Sequence, residues 1–455
     1  MLRLSDYIIV YHMSKSFKIP RGTADILPSE VISWQRIEQQ ARAVFKAYNY
    51  KEIRTPVFEE TELFARSMGQ TSDVVQKQMF NLAAQTRDAK EGLEQTALSL
   101  RPENTASVIR SYIENHFDKK EGVSKFYYIG PMFRGERPQK GRLRQFHQIG
   151  VEAIGPKATS PYLDAEVIAL GVHLLNAFGI KGFKLTLNTL GSQQDKEKLS
   201  QHLRQKLSKK ISDLCPDCQN RLERNVFRVL DCKNKGCRDV VRDLELDYSY
   251  LSKESQKHYS AVKKALEDLN IEFEESHSLV RGLDYYTHTV FEISHSSLGS
   301  QDALGAGGRY NDLAEQLGGP SVAATGFSFG VERIGLVLPE ECKTATESLD
   351  VFVIPLDEVS CQKAFQLTDL LRKAGFLSEI NYDPEISLKG QMRLANKVGS
   401  QHVVILGENE LKQECVTLKY MDSGEQQEVS VSLDKEKVSL NDIQGIIDIL
   451  TKKKD

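Results

Sequence analysis

The chain has 455 residues, with 60 basic and 63 acidic side chains and a formal net charge of −3. Hydrophobic residues make up 40% and charged residues 27%, which is typical of a globular protein and excludes a disordered, collagen-like or coiled-coil chain. At roughly 150 residues per domain, this length predicts about three domains. Because the chain is not basic overall, a nucleic acid could bind only through a local basic patch.

The terminus and the cysteines bear on the cellular compartment. No stretch approaches the roughly 18 apolar residues of a membrane-spanning helix, so we expect no membrane association. The first apolar run covers only residues 7–11, which is too short for a signal peptide. We interpret residues 1–17 as a poorly ordered leader, with Met13 as a second candidate start. Seven cysteines without a secretory signal favour a reducing compartment, and we expect the protein to be cytoplasmic.

The first predicted elements are helices and buried strands. Apolar residues at helical spacing predict an amphipathic helix over residues 29–48. Residues 125–133 and 146–155 have the composition of buried strands, and a basic loop separates them. Such a strand–loop–strand unit predicts antiparallel neighbours. A helix over 164–178 and a strand over 183–191 follow.

The amino-acid composition changes at two places in the second half of the chain. Residues 193–275 are charge-rich and carry four of the seven cysteines, and we interpret them as an inserted helical domain. Strand-like sequence resumes at 289–294, and a polar linker covers 342–348. Beyond it, strands and helices alternate as β-α-β-α-β, which predicts a small sheet with parallel strands and helical crossovers. Two more strands and a helix over 440–450 complete this region.

The basic loop is the densest local signal. Between Phe133 and Gln145 it has five basic residues and one acid, Glu136. The basic residues are Arg134, Arg137, Lys140, Arg142 and Arg144. Arginines on such a loop are suited to bidentate contacts with phosphate oxygens. Considered as a charge run alone, the same residues could form a solvated hairpin.

The order of residues in this loop is specific. The segment FRGERPQKGRLRQFHQIGVE (133–152) resembles the second signature motif of class II aminoacyl-tRNA synthetases, and most closely that of the histidyl-tRNA synthetase family. Other segments resemble this family in the same order, namely IPRGTADILP (19–28), RTPVFEETELFARSMGQTSDVVQKQMF (54–80), LRPENTASVIRSY (100–112), LVRGLDYYTHTVFEI (279–293), AGGRYNDLAEQLGG (306–319) and ATGFSFGVERI (324–334). The resemblance covers nearly the whole chain from about Lys18 to about Ser432.

This resemblance implies an α+β fold, in which a class II synthetase-type antiparallel sheet is flanked by helices. It also implies a helical insertion and a C-terminal α/β anticodon-binding domain. The expected boundaries are 18–192 and 276–342 for the catalytic domain, 193–275 for the insertion and 349–455 for the anticodon-binding domain. Members of this class are homodimers, and we expect the helix at 29–48 and the strand at 54–57 to build the interface.

The implied activity is that of a histidine–tRNA ligase. ATP, with Mg²⁺, activates L-histidine to histidyl-adenylate and releases pyrophosphate, and the histidyl group then passes to the 3′ end of tRNA(His). The resemblance assigns Arg134 and Arg281 as catalytic residues at the α-phosphate and carboxylate. It assigns Arg142 and Arg333 to the pyrophosphate end of ATP, with Arg134 also binding ATP. The alternative for Arg281 is a structural ion pair with Asp284.

The resemblance also assigns the groups that recognise histidine. The acceptors for its α-ammonium group are Glu103, Thr105 and Gln148. The imidazole contacts are Glu152 and Tyr286, and the aromatic lining is Tyr285 and Tyr310. A site built from buried hydrogen-bonding groups rejects apolar amino acids, because a wrong ligand leaves those groups unpaired.

Two residues at the tip of the basic loop are expected to meet the tRNA. The resemblance assigns Arg137 and Gln139 to the acceptor end, with a solvent-exposed loop tip as the alternative. The remaining contacts with tRNA are expected to be electrostatic and sensitive to salt. One departure from the family lies near the site: Asn104 stands where glycine is usual, so the local backbone is expected to differ there.

Four cysteines form the pattern C-x2-C-x13-C-x4-C. They are Cys215, Cys218, Cys232 and Cys237. This spacing is close to that of a structural zinc site, although the second pair is wider than usual. The surrounding sequence resembles the family's inserted domain, where zinc is not a general feature. The sequence therefore favours four reduced thiols, and we assign no metal site.

The main alternative function is a catalytically inactive synthetase paralogue that acts as a regulatory or tRNA-binding subunit. Such a paralogue generally lacks the full set of arginines and the anticodon-binding domain. Here Arg134, Arg142, Arg281 and Arg333 are all present, and so is the C-terminal sheet pattern. The sequence therefore favours the enzyme.

Overall fold

The structure, a computed structural model, describes residues 17–69, 72, 74–82, 97–120, 122–299, 301–343, 348–383, 385–433 and 438–452. These residues belong to two units that divide between residues 345 and 346. The predicted leader, residues 1–17, lies outside the described part of the chain except for its last residue. Within the described ranges, no helix is both long and apolar enough to cross a membrane.

The elements of the first unit follow in chain order. Its strands are β1 Lys51–Glu52, β2 Phe58–Glu60, β3 Asn81–Leu82, β4 Leu98–Leu100, β5 Ser124–Phe133, β6 Gln145–Gly155, β7 Phe183–Thr189, β8 Glu274–Glu275, β9 Thr287–His295, β10 Ala303–Arg309 and β11 Ala323–Gly330. Its helices are α1 Pro28–Ala47, α2 Thr61–Met68, α3 Thr105–Glu114, α4 Pro161–Ala177, α5 Gln193–Ser208, α6 Pro216–Arg224, α7 Phe227–Leu230, α8 Lys235–Arg242, α9 Lys253–Asp268, α10 Leu313–Gln316, α11 Val331–Val337 and α12 Glu340–Lys343.

A mainly antiparallel sheet of eight strands organises this unit. Its strand order is β1-β5-β6-β11-β10-β9-β7-β8, and the pairs β1/β5 and β7/β8 at its two edges are parallel. The strands predicted on either side of the basic loop are β5 and β6, and their antiparallel pairing is confirmed. The predicted sheet flanked by helices is also confirmed. The small strands β2, β4 and β3 form a separate three-stranded sheet.

Alternation along the central strand β6 separates the apolar core from a polar face. Successive side chains of a strand point to opposite faces of the sheet. Ile149, Val151 and Ala153 belong to the same buried apolar cluster as residues of α1 and α4. Gln148 and Glu152, although buried, therefore lie on the opposite face. The fold places these polar side chains in the middle of the sheet.

A buried ion pair joins α4 to the sheet. Asp164 and Arg309 are each 1% exposed, and Nη2 of Arg309 donates to Oδ1 of Asp164 at 2.5 Å. His258 and Thr289 also bond to Oδ2 of Asp164, each at 2.8 Å. Burial opposes ionisation, but Arg309 and these hydrogen bonds lower the pKa of Asp164 to about 2. Since breaking such a pair is costly, the end of β10 is held firmly against α4.

Between β7 and β8 the chain is helical. This stretch contains helices α5 to α9. The side chain of Lys196, on α5, donates to the carbonyl oxygens of Asp284 at 2.6 Å and Tyr286 at 3.0 Å. The helical stretch therefore supports the segment that leads into β9.

The second unit is a small α/β sheet. Its strands are β12 Val351–Pro355, β13 Ser378–Ile380, β14 His402–Leu406, β15 Cys415–Tyr420 and β16 Gln426–Ser430. Its helices are α13 Glu358–Lys373, α14 Leu388–Lys397, α15 Glu408–Lys412 and α16 Gln444–Thr451. The order is β13-β12-β14-β15-β16, with β12 parallel to both of its neighbours. The predicted β-α-β-α-β pattern is confirmed, and the last two strands are antiparallel.

Candidate active site

A cleft of about 990 Å³ lies on the polar face of the large sheet. The basic loop, strands β6, β9 and β11, and part of the helical stretch form its walls. The predicted site residues that line it are Glu103, Thr105, Arg134, Arg142, Gln148, Glu152, Arg281, Tyr285, Tyr286, Tyr310 and Arg333. Residues from five of the segments that resemble the family are thus brought to one place.

Glu152 is the most constrained of these groups. Its carboxylate is 1% exposed and accepts hydrogen bonds from Thr105 Oγ1 at 2.8 Å, from Tyr128 OH at 3.4 Å and from Tyr310 OH. Burial raises the pKa of Glu152 to about 8, although the bonds from Tyr310 and Thr105 favour the ionised form. The carboxyl group therefore lies close to the balance between its protonated and ionised forms at neutral pH.

A glycine on the adjacent strand makes room for this carboxyl group. Gly326 pairs with Glu152 across β11 and β6. A Cβ atom at position 326 would lie 2.0 Å from Oε2 of Glu152 and 2.3 Å from the carbonyl oxygen of Val151. Both distances are far below van der Waals contact, so any larger residue would displace the carboxylate.

Glu103 and Gln148 provide two further acceptors. Both oxygens of Glu103 accept from backbone N–H groups at the start of α3, from Thr105 at 2.7 Å and from Ala106 at 3.0 Å. Burial raises the pKa of Glu103. Oε1 of Gln148 is buried and has no hydrogen-bond partner among the described residues. Since an unpaired buried acceptor is costly, a donor from a ligand would be favoured at this position.

Asn104 does not need the flexibility of glycine. Its φ of −111° lies in a region that every residue type adopts. Its side-chain oxygen accepts from Thr55 Oγ1 at 2.8 Å and from Nη1 of Arg101 at 3.1 Å. Asn104 therefore anchors the turn before α3, and its backbone is unstrained.

Arg134 and Arg281 contribute guanidinium groups from different elements. Nε of Arg134 donates to the carbonyl oxygen of Pro102 at 2.8 Å, and its guanidinium group lies 5.2 Å from the centre of the Phe146 ring. Nη1 of Arg281 donates to Glu292 Oε2 at 2.6 Å. The alternative of a structural pair between Arg281 and Asp284 is therefore not what the structure shows. Nε of Arg281 is buried and has no partner within the described part of the chain.

Arg142 and Arg333 bring two positive charges together. A Cβ atom on Gly141, next to Arg142, would lie 3.4 Å from Cγ of Arg333. Burial and the charge of Arg142 both lower the pKa of Arg333. The two like charges repel each other, and a multivalent anion between them would relieve the repulsion. This end of the cleft therefore favours a phosphate chain.

Three tyrosines form an aromatic wall. The ring centres of Tyr285 and Tyr286 are 4.6 Å apart, and Tyr310 meets Tyr285 edge-on at 5.5 Å. All three side chains are buried. Burial raises the pKa of Tyr286 to about 12, so its hydroxyl group stays protonated and can donate a hydrogen bond.

The basic loop has a fixed base and an exposed tip. Backbone hydrogen bonds join Arg134 to Arg144 at 2.8 Å and Gly135 to Gln78 at 2.6 Å. At the tip, the backbones of Gln139 and Arg142 exchange bonds of 3.0 and 2.9 Å. Arg137 and Gln139 are exposed and lie outside the cleft lining. The structure thus separates them from the other predicted site residues.

Two residues of the site were not predicted. Tyr128 bonds to Glu152, and Glu292 pairs with Arg281. Tyr128 is two residues from Gly130 on β5, and Gly130 pairs with Gln148, so strand periodicity could have indicated its face. Glu292 is an acidic residue within the largely apolar strand β9, and this was the signal in the sequence that could have indicated its role.

Comparisons with known protein families give a consistent result for both units. The profile of the family described as Histidyl-tRNA synthetase matches residues 22–334. The profile described as Anticodon binding domain matches residues 350–439. The first match contains every residue that lines the cleft.

Individual relatives match along most of their length. The chain is 43% identical to a histidine–tRNA ligase of Halothermothrix orenii over 417 residues, which cover 91% of this chain and 97% of the relative. It is 45% identical to a histidine–tRNA ligase of Solibacter usitatus over 413 residues, 91% of this chain and 96% of that relative. The crystal structure of apo histidyl-tRNA synthetase from S. aureus superposes with a TM-score of 0.74 at 34% identity, covering 96% of this chain and 100% of that one.

The raised pKa of Glu152 predicts a dependence of stability on pH. An unfolded glutamate ionises near pH 4.5, whereas Glu152 in the folded chain ionises near pH 8. Between these values the folded state retains a proton that the unfolded state has lost. The free energy of unfolding therefore falls as the pH rises, by up to about 1.4 kcal/mol per pH unit.

Glu152→Gln removes this titration while keeping the shape of the side chain. We expect urea unfolding to show that the variant gains stability relative to the parent protein between about pH 5 and about pH 8. Parallel stability profiles for the two proteins over this range would show that Glu152 is already ionised in the cleft.

Proposed function

The chain belongs to the histidyl-tRNA synthetase family and is a histidine–tRNA ligase, and from this premise we propose how the cleft divides the reaction among its residues. The observation that carries the proposal is the position of Glu152, a buried carboxyl group in a cleft whose lining also contains the unpaired Oε1 of Gln148 and several arginines. Histidine offers one ring N–H, an α-ammonium and a carboxylate, and each needs a different partner. The cleft provides a matching group for each.

We propose that Glu152 accepts the ring N–H of the substrate histidine. Its pKa of about 8 allows it to ionise once a donor arrives, because a hydrogen bond to the charged form favours that form. Tyr286 presents a protonated hydroxyl group that can donate to the other ring nitrogen. Tyr285 and Tyr310, whose own rings meet edge-on at 5.5 Å, would line the pocket on one side of the flat ring.

The α-ammonium group is proposed to lie between Glu103 and Gln148. The unpaired Oε1 of Gln148 supports this, since a cation that donates to it would satisfy a buried acceptor. The Glu103 carboxylate supplies the opposite charge, and Thr105 lies beside it. An amino acid with an apolar side chain would offer no ring N–H to Glu152 and no acceptor to Tyr286, which explains selection without a separate editing site.

Arg134 and Arg281 are proposed to act on the reacting groups. The histidine carboxylate must attack the α-phosphate of ATP in line with the departing pyrophosphate, so positioning and positive charge are the main requirements. Arg134 is fixed by Pro102 and Phe146. Arg281 keeps a buried N–H available while Glu292 holds its other end. Both guanidinium groups can therefore stabilise charge without moving.

The triphosphate tail is proposed to lie between Arg142 and Arg333. Burial and then the charge of Arg142 lower the pKa of Arg333, and the negative charge of the β- and γ-phosphates would offset both effects. Enzymes of this class use ATP with Mg²⁺, which coordinates phosphate oxygens and offsets their charge. The leaving pyrophosphate would remain paired with these two arginines as the bond to the α-phosphate breaks.

We propose that the tip of the basic loop contacts the acceptor end of tRNA(His). Arg137 and Gln139 are exposed at the tip, while the base of the loop forms part of the cleft wall. A tRNA end that enters the cleft would therefore pass the tip. The second unit matches an anticodon-binding domain, and we propose that it contacts the anticodon. Both contacts should weaken as salt concentration rises.

A homodimer is proposed from exposed apolar residues near the first motif. Leu27 is 56% exposed, Val57 38% and Phe58 48%. Val57 lies in the segment 54–57 that the resemblance assigns to the interface, although this segment was predicted as a strand and forms none in the structure. Leu27 lies two residues before the other assigned segment, the helix at 29–48, and Phe58 directly follows residue 57. Exposed apolar side chains are typical of surfaces buried by a partner.

Sedimentation velocity tests the dimer. We expect the chain to sediment as a species of twice its 51.3 kDa mass, because these side chains would be buried by the partner. Val57→Asp should shift the protein toward the monomer, whereas Ile211→Asp, at a comparably exposed apolar residue on the helical stretch, should not. A parent protein that is active as a stable monomer would contradict the proposal.

Amino-acid-dependent ATP–pyrophosphate exchange tests the division of roles. We expect exchange with histidine alone among the common amino acids. Arg281→Ala should lower the exchange kcat by about 100-fold or more, since it removes a charge aimed at the transition state. The KM values for histidine and ATP should stay close to those of the parent.

Arg242→Ala is the matched control for Arg281→Ala. Its guanidinium group pairs with Asp239 on an exposed helix, so exchange should be unchanged. A large increase in the histidine KM of Arg281→Ala would make Arg281 a binding residue. If the folded parent protein with Mg²⁺ showed no exchange, the proposed assignment of the cleft would be wrong.

Gly326→Ala tests the position of Glu152. The added methyl group would meet both the Glu152 carboxylate and the Val151 carbonyl oxygen, so it would displace the carboxylate and also push β11 away from β6. Loss of a charged hydrogen bond to histidine, about 1.5–3 kcal/mol, corresponds to a roughly 10- to 150-fold higher histidine KM. Gly335→Ala is the matched control, because a Cβ atom there meets no atom within 4 Å. Equal effects of the two substitutions on the histidine KM would refute the proposed contact.

A further inference from the structure

The four cysteines of the helical stretch meet in space. The sulfur atoms of Cys215, Cys218, Cys232 and Cys237 all lie within 4.8 Å of one another. Cys215 directly precedes α6, Cys218 lies in its first turn, Cys232 follows α7 and Cys237 lies in α8. Three of the four are buried, and Cys215 is half-buried. The four thiols therefore face a common centre from three short helices.

We propose that these cysteines bind one structural Zn²⁺ ion. Tetrahedral zinc with Zn–S bonds of about 2.3 Å places its sulfur ligands roughly 3.8 Å apart. The sulfur atoms of Cys215 and Cys232 are 3.9 Å apart, and the remaining separations stay within 4.8 Å. Small side-chain rotations would complete the tetrahedron. This proposal replaces the expectation, drawn from the sequence, of four thiols without a metal.

The wider second pair of the sequence pattern has a local explanation. Asn234 ends the turn after Cys232, and its side chain accepts from the backbone N–H of Gly236 at 3.0 Å. This cap starts α8 so that Cys237, in its first turn, points back toward the first pair. Cys232 and Cys237, with four residues between them, can thus occupy two corners of one tetrahedron. Cys215 and Cys218, with two residues between them, occupy the other two.

The surroundings suit a negatively charged metal centre. The backbone N–H of Cys215 donates to the sulfur of Cys237 at 3.2 Å, as N–H groups do around metal-bound thiolates. Residues 215–242 carry seven basic and four acidic side chains. This excess of positive charge would offset the two negative charges of a zinc ion with four thiolates.

Other chemistry fits the cluster less well. A disulfide would need a sulfur–sulfur distance of about 2.05 Å and would use only two of the four thiols. All seven cysteines of the chain are free in the structure. Because the four sulfur atoms lie within 4.8 Å of one another, the space between them holds only one ion, and a multi-iron cluster would not fit. Four thiolates at tetrahedral separation are typical of zinc.

The ion would stabilise part of the cleft wall. Asn225 lies between the two cysteine pairs, and its side chain donates to Oδ1 of Asp284 at 2.6 Å. Asp284 directly precedes Tyr285, which lines the cleft. The helices α6, α7 and α8 are short, with nine, four and eight residues. A shared metal ion would fix these helices relative to one another and so hold Asn225 in place.

Metal analysis of the full chain tests the proposal directly. The protein is purified without a polyhistidine tag or chelator, and zinc is measured by inductively coupled plasma mass spectrometry. We expect about one zinc ion per chain, and near-complete loss of zinc in Cys218→Ser and Cys237→Ser. Cys342→Ser and Cys361→Ser, which change cysteines outside the cluster, are the matched controls and should keep the ion.

A second pair of variants separates metal binding from packing. Cys215→His should retain zinc, because three cysteines and one histidine also form a tetrahedral zinc site, whereas Cys215→Ala should lose it. If the serine variants fail to fold, the parent protein can be exchanged with Co²⁺, whose thiolate charge-transfer absorption should appear at one equivalent. None of these readouts depends on ligase activity.

Three results would overturn the proposal. The first is parent protein with four reduced thiols and no zinc after growth in zinc-supplemented medium. The second is a disulfide within the cluster, found by mass spectrometry of the freshly purified protein. The third is equal zinc content in Cys218→Ser and Cys342→Ser, which would place the ion elsewhere.

Discussion

The burial of a carboxyl group in the centre of the large sheet is the constraint on which the site depends. Glu152 cannot remain there unless its oxygen atoms are hydrogen-bonded, because an unpaired buried acceptor or charge is costly. Thr105 at the start of α3, Tyr128 on β5 and Tyr310 after β10 supply those bonds, and Gly326 on β11 leaves the space. Strands and a helix that are distant in sequence are thereby fixed around the carboxyl group of Glu152.

The opposite face of the sheet contributes to the same precision. The buried pair of Asp164 and Arg309 holds the end of β10 to α4, and the next residue is Tyr310, which bonds to Glu152. A residue of a structural ion pair and a residue that lines the cleft therefore occupy consecutive positions and point to opposite sides. Because the pair has almost no access to solvent, salt should weaken it little. The geometry of the cleft thus rests on contacts that lie away from the ligand.

The cleft brings carboxyl and guanidinium groups together on one face of the sheet. Its lining includes the buried acids Glu103 and Glu152 and the arginines Arg142 and Arg333. Arg281 also lines the cleft and is held by Glu292. Burial is the largest cause of the raised pKa values of Glu103 and Glu152 and of the lowered pKa of Arg333, and the same desolvation would strengthen their contacts with a charged substrate.

The sequence by itself determined the elements whose signals are local: the antiparallel strands β5 and β6, the long amphipathic helix α1, the alternating C-terminal unit and the motifs that name the family. Each depends on periodicity or on contiguous residues. Only the tertiary structure decided that Arg281 pairs with Glu292 and not Asp284, that Tyr128 bonds to Glu152, and that four thiols share a centre. These contacts join residues whose separation along the chain carries no periodic signal, so they are set by how the elements pack.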